Sequence, residues 1–400
     1  MSNNISQFKE GFVPKYQDIM SKALIGMKIA SLGLSSQLAW GKKVHRPKFT
    51  VSGLAVRDVV RYQDRSMGSI SDTDQYLEID KQKSVDFAID DWDKLQNGPL
   101  QIGEEAGKQA ALKLRTYIDA DILAETVNAA QSFDDGDIAG TAGNGIDLTP
   151  GTSGNIAKVF TNLLAKFQAY NVEDSNLKLV LDPYTLAVIN QEIWGKNINL
   201  TDTTLKNGYA GSVMGFQTYM SNNLTYSAQL GLATNPTAND TVTVNGVVFT
   251  FVASPSVAGD VAIGVDAATS LANLVAAING GAGAGTAYIE LIEDDRIKLT
   301  DELRATATAG TAKLTLVCIG AGRVVLSETL TAPADVWSKA KIHSYYGKKK
   351  QIDAIMQREI NFDVRKEPKQ PVDNHFVDFL AGAKVFDDAK QNFLDMWIKA

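Results

Sequence analysis

Leu205-Lys206-Asn207-Gly208-Tyr209-Ala210-Gly211-Ser212-Val213-Met214-Gly215-Phe216-Gln217-Thr218-Tyr219-Met220-Ser221-Asn222-Asn223-Leu224 is the stretch on which the fold is read. Its glycines Gly208, Gly211 and Gly215 permit tight turns and close backbone approach, because glycine carries no Cβ to clash. The stretch closes a region, residues 156–225, in which helix and strand signals alternate. Ile156–Tyr170 carries Val159, Phe160, Leu163, Leu164 and Phe167 on one helical stripe. Leu177–Leu181 reads as a short strand ending at Asp182-Pro183, and Tyr184–Trp194 as a second helix.

Upstream, residues 101–131 hold the clearest helical signal. Leu114, Ile118 and Ile122 repeat every four residues, and Leu123, Val127 and Ala130 continue the face. Glu104 and Glu105 suit the positive end of the helix dipole. At 1.5 Å per residue such a helix runs roughly 45 Å, the length of a strut. Residues 49–90 read as β structure, with Phe49 and Val51, then Leu77 and Ile79, then Val85, Phe87 and Ile89 alternating with polar neighbours; Asp80-Lys81-Gln82-Lys83 reads as a hairpin turn. Between these runs, Arg57 to Asp74 is charged, rich in Ser and Gly, and lacks core residues, so it is either a disordered loop or one ordered by a partner. Residues 1–48 read as an arm. Residues 134–155 are rich in Gly, Asp and Thr and read as a loop.

Downstream, residues 232–335 change character. They carry a net charge of −6 against −1 for the rest of the chain, and hold none of its 8 Met or 5 Trp, so a compositional boundary falls on each side. Thr241–Phe251 is two strands joined at Asn245-Gly246, the strongest hairpin signal. Ala267–Asn279 is a helix stopped by Gly280-Gly281. Tyr288–Leu291, Arg296–Leu299, Ala312–Cys318 and Arg323–Leu326 are strand candidates, and the block reads as an inserted small α+β domain. After it come the apolar runs 352–355, 360–364, 376–380 and 383–386, and Asp388 to Ile398 reads as a terminal helix.

Composition bounds the function. With 44% hydrophobic and 21% charged residues, the 400-residue chain is an ordinary globular one with room for two or three domains. A net charge of −7 argues against a dedicated nucleic-acid binder, which needs a basic excess. The single cysteine, Cys318, reads as a small buried hydrophobe. No apolar run is long enough to span a membrane, and the opening Met-Ser-Asn-Asn-Ile-Ser-Gln is not a secretory signal. His45, His343 and His375 lie far apart, none at metal-ligand spacing with Cys, Asp or Glu. Asp134, Asp135 and Asp137 lack the glycine and distal glutamate of a calcium loop. Gly280–Gly285 follows a helix, whereas a dinucleotide loop follows a strand. Gly347-Lys348-Lys349-Lys350 lacks the upstream glycine and trailing Ser/Thr of a phosphate loop. It reads as a basic turn, with contact to DNA phosphates as the lesser alternative. No Gly-x-Ser-x-Gly elbow occurs, although a Ser-His-Asp site assembled from distant residues stays open. The expectation is no enzyme, no cofactor and no metal.

The order of these segments resembles the HK97-type coat protein family of tailed bacteriophages, in particular coats with an inserted domain as in P22-like phages. Asp80–Asp91 resembles the strand pair and acidic turn before the family's spine helix, and Glu104–Gln131, with Asp119-Ala120-Asp121-Ile122-Leu123, resembles that helix. Leu181-Asp182-Pro183-Tyr184 resembles the strand-to-helix corner of the axial domain. Leu205–Leu224 shows the family's glycine pair, Gly-Phe and strand ending in Ser-Asn-Asn-Leu. The resemblance covers roughly residues 40–231 and 336–400, outside the block 232–335.

What the resemblance implies is an α+β fold with an N-terminal arm (1–48), an extended β-hairpin loop (49–83), a peripheral domain (84–150) with a spine helix at about 101–131, and an axial domain (151–231 and 336–370). The inserted domain occupies 232–335, and residues 371–400 return to the peripheral domain. The implied function is a major capsid protein that self-assembles into pentamers and hexamers of an icosahedral shell. Its implied partners are further copies of itself, scaffolding and portal proteins, and packaged DNA contacted non-specifically, with no membrane. It is expected in the virion after synthesis in the host bacterial cytoplasm. Arg57, Arg61, Arg65, Asp72 and Asp74 are inter-subunit contact candidates, and Gly208, Gly211 and Gly215 are axial-domain turn glycines. Two other readings stay open: an encapsulin-like shell, and a carbohydrate-binding or adhesive protein using 232–335.

Overall fold

Residues 372–384 bury His375, Val377, Phe379 and Ala381 and leave the residues between them partly exposed, the period of two that a one-sided sheet demands. Strands of this kind dominate the computed structural model, which describes residues 24–34, 41–52, 61, 69–96, 102–149, 156–170, 172, 176–195, 209–213, 216–310, 313–332, 334–366 and 371–400. The helices are α1 Gly26–Ile29, α2 Asp91–Gln96, α3 Ile102–Ala124, α4 Ile156–Ala169, α5 Pro183–Gly195, α6 Ala267–Asn279 and α7 Glu293–Ile297. The early strands are β1 Lys43–His45, β2 Lys48–Ser52, β3 Ser69–Thr73, β4 Tyr76–Glu78, β5 Lys81–Asp90, β6 Ser132–Phe133, β7 Leu177–Leu181, β8 Tyr209–Val213, β9 Phe216–Met220 and β10 Thr225–Gly231. They are followed by β11 Thr241–Val244, β12 Val247–Val252, β13 Asp260–Ala262, β14 Ala305–Gly310, β15 Lys313–Cys318 and β16 Leu326–Glu328. The last are β17 Trp337–Lys348, β18 Asp353–Lys366, β19 Val372–Lys384 and β20 Phe393–Lys399. The described residues divide into two compact units, the first within Ser31–Leu114 and Ile352–Phe386 and the second within Met20–Ala30, Arg115–Gln351 and Asp387–Ala400.

In the first unit β18, β19 and β5 form an antiparallel sheet in that order. The start of α3 lies close against it: a Cβ at Gly107 would stand 2.8 Å from the Phe362 ring, so that ring would have to shift for any larger residue. His375 stacks on Phe87, with ring centroids 4.8 Å apart. A small core of Val44, Leu77, Ile79, Ile355 and Phe386 holds the β1–β4 pair. The expected hairpin at Asp80–Lys83 is corrected: β4 pairs with β1, while β5 starts at Lys81 and pairs with β19. The ladder partner brought from the C-terminal region outcompetes the local turn.

The second unit is built on a nine-stranded sheet whose main path runs β14-β15-β10-β17-β7-β9-β8, with β20 pairing β17 and β6. All five residues of β7 are buried, as befits an internal strand. The amphipathic α4 packs Val159, Phe160, Leu163 and Phe167 into the core with Phe133, Leu179, Phe216 and Tyr346. Asp182 opens α5 by accepting from the Thr185 N–H, and Arg323 Nε donates to the same carboxylate at 2.9 Å. A smaller sheet, β13-β12-β11-β16, turns at Asn245-Gly246, both with positive φ. Asp266 caps α6, and Gly280 ends it in the left-handed conformation. Residues 232–335, read from the sequence as one block, therefore serve two sheets: β11–β13 and β16 make the small one, while β14 and β15 extend the large one through β10.

Further expectations change. The terminal helix over 388–398 is a short 3-10 turn followed by β20, because the free edge of β17 offers a ladder that pairs at seven positions. Arg296–Leu299 is helical, with Glu293, Asp294 and Asp295 placed in the first turn of α7 where the helix dipole favours them. Tyr288 makes only isolated bridges, and β14 is a strand the sequence did not reveal. The long helix ends at Ala124 and continues as a 3-10 turn to Asn128.

Asp119 on α3 ties three segments of the second unit together. Its buried carboxylate accepts from Gly26 N–H at 2.6 Å and from Asn223 Nδ2 at 2.7 Å. Burial pushes this carboxyl above the usual range, opposed by those hydrogen bonds. Asp119→Ala strands two buried donors and is expected to cost about 2–4 kcal/mol, with Asp119→Asn costing less because one acceptor survives. Urea denaturation curves check this; an alanine variant as stable as the parent would refute the keystone role.

Candidate functional site

Among the described residues, β2 and β3 form a two-stranded sheet of their own. Their register sets Phe49 opposite Asp72 and Val51 opposite Ile70, so these four positions share one face of the ribbon. The other face is Lys48, Thr50, Ser52, Ser69, Ser71 and Thr73. Phe49 is 69% exposed and Ile70 72%. Two large apolar side chains on one side of a solvent-exposed two-stranded ribbon are unstable alone and suited to a second surface.

Of the contact candidates, Arg61 is an exposed turn residue and Asp72 an exposed ribbon residue opposite Phe49. Asp74 already accepts from His45 Nδ1 at 2.7 Å. Arg57 and Arg65 lie outside the described residues, as do Gly208 and Gly215. Gly211 falls in β8, where the register with β9 shifts between Tyr209 and Ser212, the local setting of a bulge.

One face of the first unit's three-stranded sheet is a second polar surface. Arg358 pairs with Asp378 at 3.1 Å, Arg365 with Asp363 at 2.8 Å, and Ser84 Oγ donates to Asp86 at 3.0 Å, around a shallow recess also lined by Lys83 and Phe376. Charges of both signs alternate on this half-exposed face and pair with one another, so its ion pairs weaken with salt.

The structure also brings together three residues that no sequence motif links. Ser227 on β10, His343 on β17 and Asp395 on β20 form a line of hydrogen bonds across adjacent strands. Ser227 Oγ lies 2.8 Å from His343 Nε2, and His343 Nδ1 lies 2.7 Å from Asp395 Oδ2. Trp397 Nε1 donates to the same carboxylate oxygen. The order of groups is that of a nucleophilic triad, but Ser227, His343 and Asp395 are 8%, 5% and 3% exposed. Ser227 sits in mid-strand with β15 and β17 paired on its two sides. The relay satisfies polar groups inside a packed sheet. Pairing of distant strands creates it, so no local signal could have revealed it.

The carboxylates of the acidic loop are each engaged by groups of the second unit. Asp134 accepts from the backbone N–H groups of Gly136 and Gly143, Asp135 from that of Thr141, and Asp137 from Lys166 and the Asp134 N–H. Among the described residues no group of three or more His, Cys, Asp or Glu is placed to hold a metal, and no helix is long and apolar enough to cross a membrane. Cys318 is buried, and burial pushes its thiol up to about 12, so it stays protonated and unreactive.

No family model and no curated protein matches the chain. Solved structures do. The chain is similar to a structure of Mycobacterium phage Che8 at 13% identity, covering 98% of this chain and 97% of that one, with a TM-score of 0.54. It is also similar to the capsid structure of the cyanophage P-SCSP1u at 10% identity, covering 99% and 94%, with a TM-score of 0.52. At these identities the likeness is one of fold. The mixed α+β architecture expected from the sequence, the HK97-type coat fold, is the architecture these phage structures share with this chain.

Lys341 carries a pH signature of the relay region. Its ammonium lies 2.9 Å from the centroid of the Trp397 ring, and burial pulls its pKa down to about 8 from an ordinary 10.5, against the attraction of Asp395. The folded state thus gives up this proton at lower pH than the unfolded state, and stability rises with pH between about 8 and 10.5. Lys341→Met is expected to be more stable than the parent at neutral pH, with the difference shrinking across that interval. Parallel melting temperatures for the two proteins through the same range would contradict it.

Proposed function

We propose that this chain is the major capsid protein of a tailed bacteriophage, assembling through pentamers and hexamers into the icosahedral shell that encloses the genome. The observation that carries the reading is the fold, matched along nearly the whole length of both chains by a phage capsid structure. The exposed ribbon supports it, because its apolar face has no cover within its own sheet. In this reading residues 49–83 form an extended loop that lies across a neighbouring subunit, with Phe49 and Ile70 as its apolar anchors. Arg57, Arg61 and Arg65 pair there with carboxylates such as Asp72 on adjacent copies. Contacts of this kind are heterologous, and they close into rings when the rotation allows.

The role is structural and not catalytic, in keeping with a Ser227–His343–Asp395 relay that is buried. Scaffolding and portal proteins and packaged DNA complete the set of partners, and the protein resides in the virion after synthesis in the bacterial cytoplasm. The small sheet β13-β12-β11-β16 is the part of 232–335 that forms an added module, while β14 and β15 join the large sheet and the Asn279 side chain at the end of α6 bonds the Ala307 backbone on β14.

Electron micrographs of the purified protein, with and without scaffolding protein, are expected to show closed particles. Monomers and small oligomers under all conditions would overturn the reading, and particles filled with protein instead of DNA would replace it with an encapsulin-like shell. Phe49→Ser with Ile70→Ser removes roughly 3 kcal/mol of burial per contact and should raise the concentration needed for assembly about a hundredfold. The thermal unfolding of the free subunit should stay unchanged. A doubly substituted protein that assembles like the parent would exclude the ribbon as an anchor.

A further inference from the structure

Two lysines from separate segments of the second unit flank one tyrosine, and a run of three more adjoins those segments through backbone pairing. Lys28 on α1 and Lys178 on β7 each place the ammonium 5.8 Å from the centroid of the Tyr219 ring on β9. Lys348, Lys349 and Lys350 follow at the end of β17, where Gly347 pairs with Lys178 and Lys348 with Leu177. The Lys350 N–H donates to the Ile29 carbonyl at 2.7 Å, which holds this turn beside the segment carrying Lys28. The arrangement is thus built by three backbone pairings, and not by chance proximity of flexible side chains.

The electrostatics of the cluster are unbalanced. Lys178 is only 6% exposed, and its ammonium donates to the neutral amide of Gln217. Its pKa is lowered by burial and then by the charge of Lys349. Lys28 feels Asp119, but that carboxylate is buried and already accepts from Gly26 and Asn223. Lys28, Lys349 and Lys350 are exposed. A chain with net charge −7 concentrates positive charge here, and like charges held this close are relieved by an anion with several negative groups in a row.

We propose that Lys28 and Lys178 beside Tyr219, together with the adjoining Lys348–Lys350 run, bind the phosphodiester backbone of double-stranded DNA. This inference rests on the shell reading, in which the enclosed genome is the polyanion at highest local concentration. The contact is to phosphates and carries no sequence preference, since lysine ammoniums read charge and not base edges. Each subunit binds weakly, and the shell holds DNA through many repeated contacts.

The test uses the full unassembled chain and a fluorescent duplex of mixed sequence, titrated at several salt concentrations. Affinity should fall linearly on a log–log plot, with a slope of about −0.9 for each phosphate neutralised. Lys349→Gln with Lys350→Gln should flatten the slope by about 2 and weaken binding by roughly tenfold or more at low salt. Lys313→Gln, at an exposed position on β15, should leave both unchanged. Equal affinity and slope for the parent and the double variant would overturn the inference, as would capture of a polyglutamate peptide with no binding of the duplex. Binding is read on free subunits, so the two proposals fail separately. Particles that form normally from a chain that ignores DNA would sink this inference alone. Subunits that bind DNA through these lysines but never assemble would sink the shell reading alone.

Discussion

The strand Trp337–Lys348 imposes the constraint on which the second unit depends. It buries six consecutive residues, Ile342 to Gly347, so neither its side chains nor its backbone meet bulk water there. Every N–H and C=O along it needs a partner. One edge is divided between β10 near its start and β7 near its end, and the other is taken by β20. Segments from three distant parts of the chain are therefore recruited to a single ladder. Gly347 is required at the crossing, since a Cβ there would lie 2.3 Å from that of Phe393.

This constraint explains which parts of the fold were legible in the sequence. Elements decided by local chemistry were readable: α4 by its apolar stripe, the 241–252 hairpin by Asn-Gly, and α6 by its Asp cap and Gly stop. Elements decided by a distant partner were not. Residues 388–398 carry Phe393, Leu394, Met396 and Ile398, a spacing compatible with a helix until the free edge of β17 is supplied. The 80–83 turn failed for the same reason, because β5 belongs to β19. β14, with its Ala-Thr-Ala-Thr pattern, has too little apolar weight to signal a strand and is held by its pairing with β15.

The candidate surfaces divide along the same line. That 57–74 lacks a core is a compositional fact, and the exposed Phe49 and Ile70 give it physical content. Which charges along it are free is a matter of geometry: Asp74 is bound by His45, and Asp72 stands on the ribbon face beside Phe49. Two motifs that looked separate, Asp119-Ala120-Asp121 on the long helix and Ser221-Asn222-Asn223-Leu224 after β9, turn out to be one site, joined by the hydrogen bond from Asn223 to Asp119. The lysines beside Tyr219 and the run adjoining them come from residues 28, 178 and 348–350, and no linear motif connects them.

The low identity to solved phage structures, 13% and 10%, is what this kind of architecture permits. A catalytic site demands particular atoms at particular distances, so its residues resist replacement. A shell subunit demands ladders that close, cores that fill and outer faces that meet other faces, and many side chains satisfy each demand. The buried relay illustrates the difference. Ser227, His343 and Asp395 have the connectivity of a nucleophilic site, yet they stand where a sheet needs its polar atoms paired, and an apolar trio of matching shape would serve the packing as well. What such a trio would not replace is the exposed ribbon, whose apolar face lies outside both cores. In this chain the residues least explained by the stability of one copy are the exposed Phe49 and Ile70.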